Sequence, residues 1–226
     1  MSTLSALWSS GYPAELVTGL VVNFTIAAIA LALGFAVGLP LGLLQLVGSI
    51  WQWLAGLLVG IMRAAPTFVV MFFLLSVIPA DATLFGLGIA PSPRMIVALS
   101  LVPYAAAYVA DNGREAAHQL SRGRTESALL FLPNLVRAFL VLVMSSGAGA
   151  AIGVSEGVAV ALREADRWPR LPDKLIVFAI AIACFGLVFQ TGFALVRLVR
   201  AKLMERRRLR SERRVAPTVG LAATET

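Results

Sequence analysis

The sequence predicts an all-α, polytopic membrane protein with about five transmembrane helices. Of the 226 residues, 59% are hydrophobic and 14% are charged, whereas soluble domains are about 45–50% apolar and about 25% charged. The stretch from Leu16 to Met62 contains no charged residue at all. Its apolar residues cover every face instead of alternating, which indicates helices rather than the strands of a membrane barrel. A soluble globular enzyme is therefore excluded as the leading class.

Five apolar runs define the expected spans. Each approaches or exceeds the roughly 20 residues that a helix needs to cross the hydrocarbon core. Gly48-Ser49 marks the turn between the first two, and Arg63 and Pro66 interrupt the second. The runs lie near residues 19–45, 50–79, 95–110, 129–152 and 175–196.

The positive charge lies at one end of the chain. Residues 197–214 contain nine Lys and Arg and two Glu, which accounts for the whole formal charge of +7. Such a segment favours the cytoplasmic side, so five spans place the C-terminus inside and the N-terminus outside. We expect a short extracytoplasmic N-terminus at 1–15, a transmembrane domain over 16–205 and a basic, disordered cytoplasmic tail over 206–226. The tail lacks aromatic residues, which favours contact with anionic lipid over nucleic acid.

Motifs for catalysis or metal binding do not occur in the sequence. It contains no GxxxxGK[ST] phosphate loop, no GxSxG or HExxH motif, and one His and one Cys. We therefore expect a transport or scaffold protein that is not an enzyme and binds no cofactor or metal.

A few polar and small residues within the spans are candidates for specific roles. Arg63 is costly in an apolar span, so it marks either a functional site or a side chain that snorkels to the membrane surface. Asp111 and Arg114 are three apart, a spacing that favours a local pair on a helix. Gly34, Gly38 and Gly42 form a small-residue stripe, which favours close packing inside the subunit over a subunit interface.

The stretch between the third and fourth spans reads AYVADNGREAAHQLSRGRTESALLFLPNLVRAF. Tyr108, Asp111 and Arg114 stand where a pattern like AYxAE followed by Arg ends the third helix in one transporter family. Arg122-Gly123 and then Glu126–Ala128 fit the EAA loop that follows in that family. In these motifs the chain resembles the permease subunits of ATP-binding-cassette (ABC) importers, specifically the polar amino acid and opine uptake family.

Three further stretches match the same family in the same order. Residues 62–67 and the apolar residues after them, MRAAPT followed by FVVMFFL, look like its FRGTPLLVQLFLL on the second helix. IGVSE at 152–156 resembles its IGVPEL, and residues 19–44 read like its first helix. The resemblance thus extends over roughly residues 16–205.

The resemblance implies a type I ABC importer permease in a bacterial inner membrane. It implies a translocation path that works by alternating access, within a homodimer or a pair with a paralogous permease. Separate ATPase subunits would bind and hydrolyse ATP, and an extracytoplasmic solute-binding protein would deliver substrate. The residues assigned by resemblance are Gly123, Glu126, Ser127 and Ala128 in the ATPase-coupling loop and Arg63, Pro66 and Thr67 along the path.

The EAA loop departs from the family by being about a dozen residues shorter. With Glu126 as its first residue, Pro133 follows seven positions later. A second register starts at Glu115, places Ser121 where the family has Gly and gives up the match at 108–114; we prefer Glu126. A short loop also leaves open a second function, that of a degenerate permease acting as a membrane scaffold or regulatory subunit without ATPase coupling.

Overall fold

The structure is a computed structural model that describes residues 3–79 and 92–215. These residues are helical with short connections, as predicted. The helices are α1 Thr3–Ser9, α2 Tyr12–Leu44, α3 Ser49–Ala64, α4 Thr67–Val77, α5 Pro93–Ser121, α6 Thr125–Ala128, α7 Phe131–Ser145, a 3₁₀ segment Ser146–Ile152, α8 Gly157–Asp166 and α9 Leu171–Val215.

Four of these elements are long and apolar enough to cross a membrane, namely α2, α5, α7 with its 3₁₀ continuation, and α9 as far as Glu205. A fifth candidate consists of α3 and α4, which are bent by 95° relative to each other. The predicted number of spans is therefore confirmed. The second span near 50–79 is interrupted at Pro66, as predicted, because the proline disfavours a helical conformation of the residue before it and Ala65 is extended, with ψ of 116°.

The glycine stripe of α2 packs directly against α5. A Cβ added to Gly34 would lie 2.5 Å from the Cβ of Ala105, and one added to Gly42 would lie 2.6 Å from the carbonyl oxygen of Ala110. Only glycine permits so close an approach of two helices. The prediction that the stripe serves packing inside the subunit is confirmed.

Two clusters of buried side chains surround this helix pair. The larger contains residues of α2, α4, α5 and α7, among them Ile26, Met71 and Leu142. The smaller joins α1 and the start of α2 to α8 and α9. In it the Tyr12 hydroxyl donates a hydrogen bond to the carbonyl oxygen of Val177 at 3.1 Å, so the first residues of the chain are held against the last long helix.

The ends of two helices differ from the predicted spans. α2 begins at Tyr12, ahead of residue 19. α9 continues through Val215, so the backbone of residues 206–215 is helical where the sequence predicted disorder. Six of these ten residues are Arg, and Leu209 and Glu212 lie among them; all three residue types are good helix formers. Residues 216–226, the rest of the predicted tail, lie outside the described residues.

Candidate coupling and translocation site

The predicted coupling residues lie in the connection between α5 and α7, at residues 122–130, which we call the coupling segment. Gly123 ends α5 because it adopts a left-handed conformation, with φ of +69°. Its N–H donates to the carbonyl of Leu120, and the N–H of Arg124 donates to that of Gln119, both at 2.9 Å. The chain then forms the single turn of α6, which contains Glu126.

A polar cavity of about 300 Å³ lies between the coupling segment, α5 and α7. Two predicted coupling residues line it, Ser127 and the buried Ala128. Gly123 lies at the end of α5, and nothing is described of the Glu126 side chain. The remaining polar lining comes from Asn112, Glu115, Gln119, Arg124 and Asn134.

Hydrogen bonds brace the helices on both sides of this cavity. Asn134 of α7 donates from Nδ2 to Oδ1 of Asn112 at 2.9 Å. Asn112 donates in turn to the carbonyl of Tyr108, also at 2.9 Å. Glu115, the start of the alternative register, lies within the continuous helix α5 and accepts a 2.7 Å hydrogen bond from Gln119. The literal Glu-Ala-Ala sequence is therefore part of a helix, and residues 122–130 form the loop.

Arg63 forms an ion pair with Asp111. The pair forms because α3 crosses α5 here, with Val59 packed against Ala107 and Ala110. This corrects the expected local pair of Asp111 with Arg114: within the described residues Arg114 has no ion pair.

Pro66 and Thr67 lie at the break between α3 and α4. The carbonyl of Pro66 accepts the first hydrogen bond of α4, from the N–H of Val70 at 3.1 Å. Because a broken helix leaves its terminal backbone groups without intrahelical partners, the break is a polar point within an apolar span. The break begins two residues beyond Arg63. The three residues predicted to line the path, Arg63, Pro66 and Thr67, are therefore close together along the chain.

A buried polar cluster that the sequence analysis did not single out links α2, the 3₁₀ segment and α8. Glu156 is fully buried, and its carboxylate accepts hydrogen bonds from Nδ2 of Asn23 at 2.9 Å and from the N–H groups of Val158 and Ala159 at 2.8 and 2.9 Å. Asn23 also donates to the Ser146 hydroxyl at 2.8 Å and accepts from the N–H of Gly157 at 2.9 Å. The signal in the sequence was Asn23, the one amide side chain within the residues that form α2.

Burial raises the pKa of the Glu156 carboxyl above its ordinary value of 4.5. Its N–H donors and the charge of Arg163 oppose this shift without cancelling it. The carboxyl caps the start of α8 through its hydrogen bonds to Val158 and Ala159, and its bond from Asn23 links α8 to α2.

No protein-family model and no curated protein matches the chain. Among solved structures, it is similar to a chain of "an amino acid ABC transporter with histidines", with a TM-score of 0.64 and 20% identity over 89% of this chain and 99% of that one. A chain of the MetNI methionine ABC transporter in inward-facing conformations is also similar, with a TM-score of 0.59 and 20% identity over 88% and 99%. The protein therefore has the fold of an ABC importer permease, as its motifs predicted.

Proposed function

We propose that this chain is the membrane permease subunit of an ATP-driven importer of polar amino acids or related small solutes. The observation that carries the proposal is the correspondence of nearly the whole chain to chains of two ABC transporters, whose names include an amino acid transporter and a methionine transporter. Motifs in the same order along the sequence support it independently. In this role the chain itself binds no cofactor, and ATP is bound and hydrolysed by a separate partner subunit.

The coupling segment is the proposed contact with the ATPase. Its first residues, Arg122 to Thr125, are exposed, while Ala128 behind them is buried and the helices on both sides are joined by the Asn112–Asn134 hydrogen bond. A segment that is to move α5 and α7 together has to be exposed to the ATPase and packed against both helices. Movement of the ATPase would then be passed to two spans at once, which is what alternating access requires.

The proposed path runs along the broken span. Arg63, Pro66 and Thr67 lie at the break, where a discontinuous helix brings backbone polar groups into the membrane. Beyond the break, α4 exposes Phe68, Val69, Phe72 and Phe73. A second permease, either a copy of this chain or a paralogue, would cover such a face and complete the path, with an extracytoplasmic solute-binding protein delivering the substrate.

The proposal places the protein in a bacterial inner membrane, with its N-terminus outside and its C-terminus inside. α9 supports a lipid environment, because Ile182, Leu187 and Leu195 are largely exposed along it. In water such a surface would be a strong aggregation liability. In a bilayer it is the ordinary surface of a spanning helix.

The coupling role can be tested by charge reversal in the coupling segment. Glu126→Lys is expected to abolish retention of the ATPase when the tagged permease is purified from membranes, with membrane insertion unchanged. Glu115→Lys reverses the same charge on α5, at the start of the alternative register, and therefore distinguishes the two registers. If Glu115→Lys loses the ATPase and Glu126→Lys retains it, the contact with the ATPase lies in the alternative register that starts at Glu115.

A second candidate function is supported by the length of the coupling segment. Nine residues with a single turn of helix present a small surface to an ATPase. A degenerate permease that serves as a membrane scaffold or regulatory subunit needs no such contact. That function predicts stable complexes with other membrane proteins from which ATPase subunits are absent in wild type and Glu126→Lys alike.

A further inference from the structure

The turn between α2 and α3 borders a second polar cavity, of about 460 Å³. Its polar lining consists of Gln45, Ser49, Gln52 and Arg114, and Trp53 and Leu57 supply apolar surface. Arg114 comes from α5, so the cavity joins three helices. It is separate from the cavity beside the coupling segment and from the break at Pro66.

Two of the polar side chains that line this cavity carry hydrogen-bond donors without a partner in the described part of the chain. Gln45 is only 6% exposed, and its amide nitrogen Nε2 has no hydrogen-bond partner within the described part of the chain. The guanidinium of Arg114 likewise has no ion pair or hydrogen bond among the described side chains. A buried amide left unpaired is destabilising, so a bound acceptor would stabilise the folded protein.

The N-terminus of α3 adds further donors. α3 has 16 residues, and the residue before it, Gly48, provides no side chain to cap it. The first turn of a helix presents free N–H groups and a partial positive charge, and Ser49, which begins α3, lines the cavity.

Among the described residues, none of the side chains that line the cavity is acidic. The two nearest acids along α5 are engaged elsewhere, Asp111 with Arg63 and Glu115 with Gln119. The unpaired amide nitrogen of Gln45, the guanidinium of Arg114 and the N-terminus of α3 therefore favour an anion in this cavity.

We propose that this cavity binds the phosphate group of an anionic phospholipid headgroup. A guanidinium, a helix N-terminus and a neutral amide donor together are the groups that bind phosphate in proteins. Phosphate could arrive as a free ion or on a lipid. The lipid is favoured because Trp53, which lines the cavity, is 62% exposed and Trp51, two residues before it on α3, is 56% exposed, and Trp side chains at a span end mark the membrane surface.

The site would join the α2–α3 turn to α5 through the lipid. The lipid site does not depend on the proposed transport function, because it requires only a membrane location and the residues of the cavity. A lipid in this position would hold α3 against α5 near the Arg63–Asp111 pair.

The test uses the purified full-length protein in nanodiscs of phosphatidylcholine with and without phosphatidylglycerol, read out as the melting temperature and as lipid retained in native mass spectrometry. Wild type is expected to be stabilised by phosphatidylglycerol and to retain it. Arg114→Gln is expected to bind it about tenfold more weakly, since one charge-assisted contact is lost. Arg122→Gln removes an exposed charge eight residues along the same chain and serves as the matched control.

A second variant covers the case in which Arg114→Gln does not fold. Gln45→Glu is nearly isosteric, so the protein is expected to stay folded. The new carboxylate lies near Arg114 and neutralises its positive charge, so the variant is expected to lose its response to phosphatidylglycerol. An unchanged response in both variants overturns the proposal. Equal stabilisation by inorganic phosphate in pure phosphatidylcholine overturns the assignment to a lipid and identifies the free ion as the ligand.

Discussion

At the scale of single residues, Gly38 is the position where α2 and α5 approach most closely. A Cβ at Gly38 would lie 2.9 Å from the Cβ of Val109 and would also meet the carbonyl of Ala106. Backbone atoms cannot yield as a flexible side chain does, so the two helices themselves have to separate. The repeat of small residues every fourth position made this contact predictable from the sequence, although the partner helix was not.

Gly38→Ala is therefore expected to lower the free energy of unfolding by about 1–3 kcal/mol through overpacking. The measurement is thermal unfolding of the protein in nanodiscs. Gly60→Ala is the matched control, because a Cβ there has nothing within 4 Å and alanine is the better helix former by about 0.5–1 kcal/mol. Equal melting temperatures for Gly38→Ala and wild type would contradict the described packing of α2 on α5.

At the same scale, the burial of Glu156 could not be predicted from the sequence. Its position after the fourth span was recognisable, but its burial depends on Asn23, 133 positions earlier. A contact of such separation leaves no local pattern in the chain. The polar cluster around it therefore became visible only once α2, the 3₁₀ segment and α8 were placed together.

The raised pKa of Glu156 predicts a pH dependence of stability. Because the folded protein binds this proton more tightly than the unfolded chain, the stabilisation is fully present below pH 4.5 and is lost as the pH rises through the folded-state pKa. Glu156→Gln removes the titrating group, so the fall in melting temperature just above pH 4.5 should become shallower. The exposed Glu15→Gln should leave it unchanged; equal pH profiles for wild type and Glu156→Gln would refute the assignment.

At the scale of elements, the broken second span was only partly predictable. Pro66 and Arg63 marked an interruption within the apolar run, and the residue before a proline disfavours helix. The angle of 95° was not predictable, because it depends on where α3 crosses α5. The same crossing explains why Asp111 pairs with Arg63 on another helix instead of with Arg114 on its own.

The pairing of α3 with α5 can be tested by exchanging its charges. Arg63→Asp and Asp111→Arg alone should each destabilise the protein, and the double variant should recover most of the loss. The expected coupling is about 0.2–1 kcal/mol, as for other ion pairs whose side chains are substantially exposed. Thermal unfolding of the four proteins measures it, and strictly additive effects would show that the two charges do not interact.

At the scale of the whole molecule, the order of spans followed from composition and charge gaps, and the way they pack did not. Apolar runs separated by Gly48, by polar loops and by Arg-rich segments mark each span in turn. The exposed apolar faces of α4 and α9 could not be told from buried ones, because in a membrane both are equally hydrophobic. The coupling segment was located by its motif, whereas its cavity required α5 and α7 to be placed side by side.

The proposed orientation predicts which ends are accessible from outside the cell. In a Cys184→Ser background, a cysteine introduced at the exposed Ser9 should react with a membrane-impermeant maleimide in intact spheroplasts. One introduced at the exposed Ser121 should react only after permeabilisation. The reverse pattern would place the N-terminus inside and contradict the positive-inside assignment.

Purification of the tagged full-length protein from its native membrane tests whether this chain is the permease of an ATP-driven importer. We expect an ATPase to co-purify in stoichiometric amount, with ATP hydrolysis that rises when a solute-binding protein loaded with a polar amino acid is added. A stable complex that contains this chain and lacks any ATPase would contradict the claim.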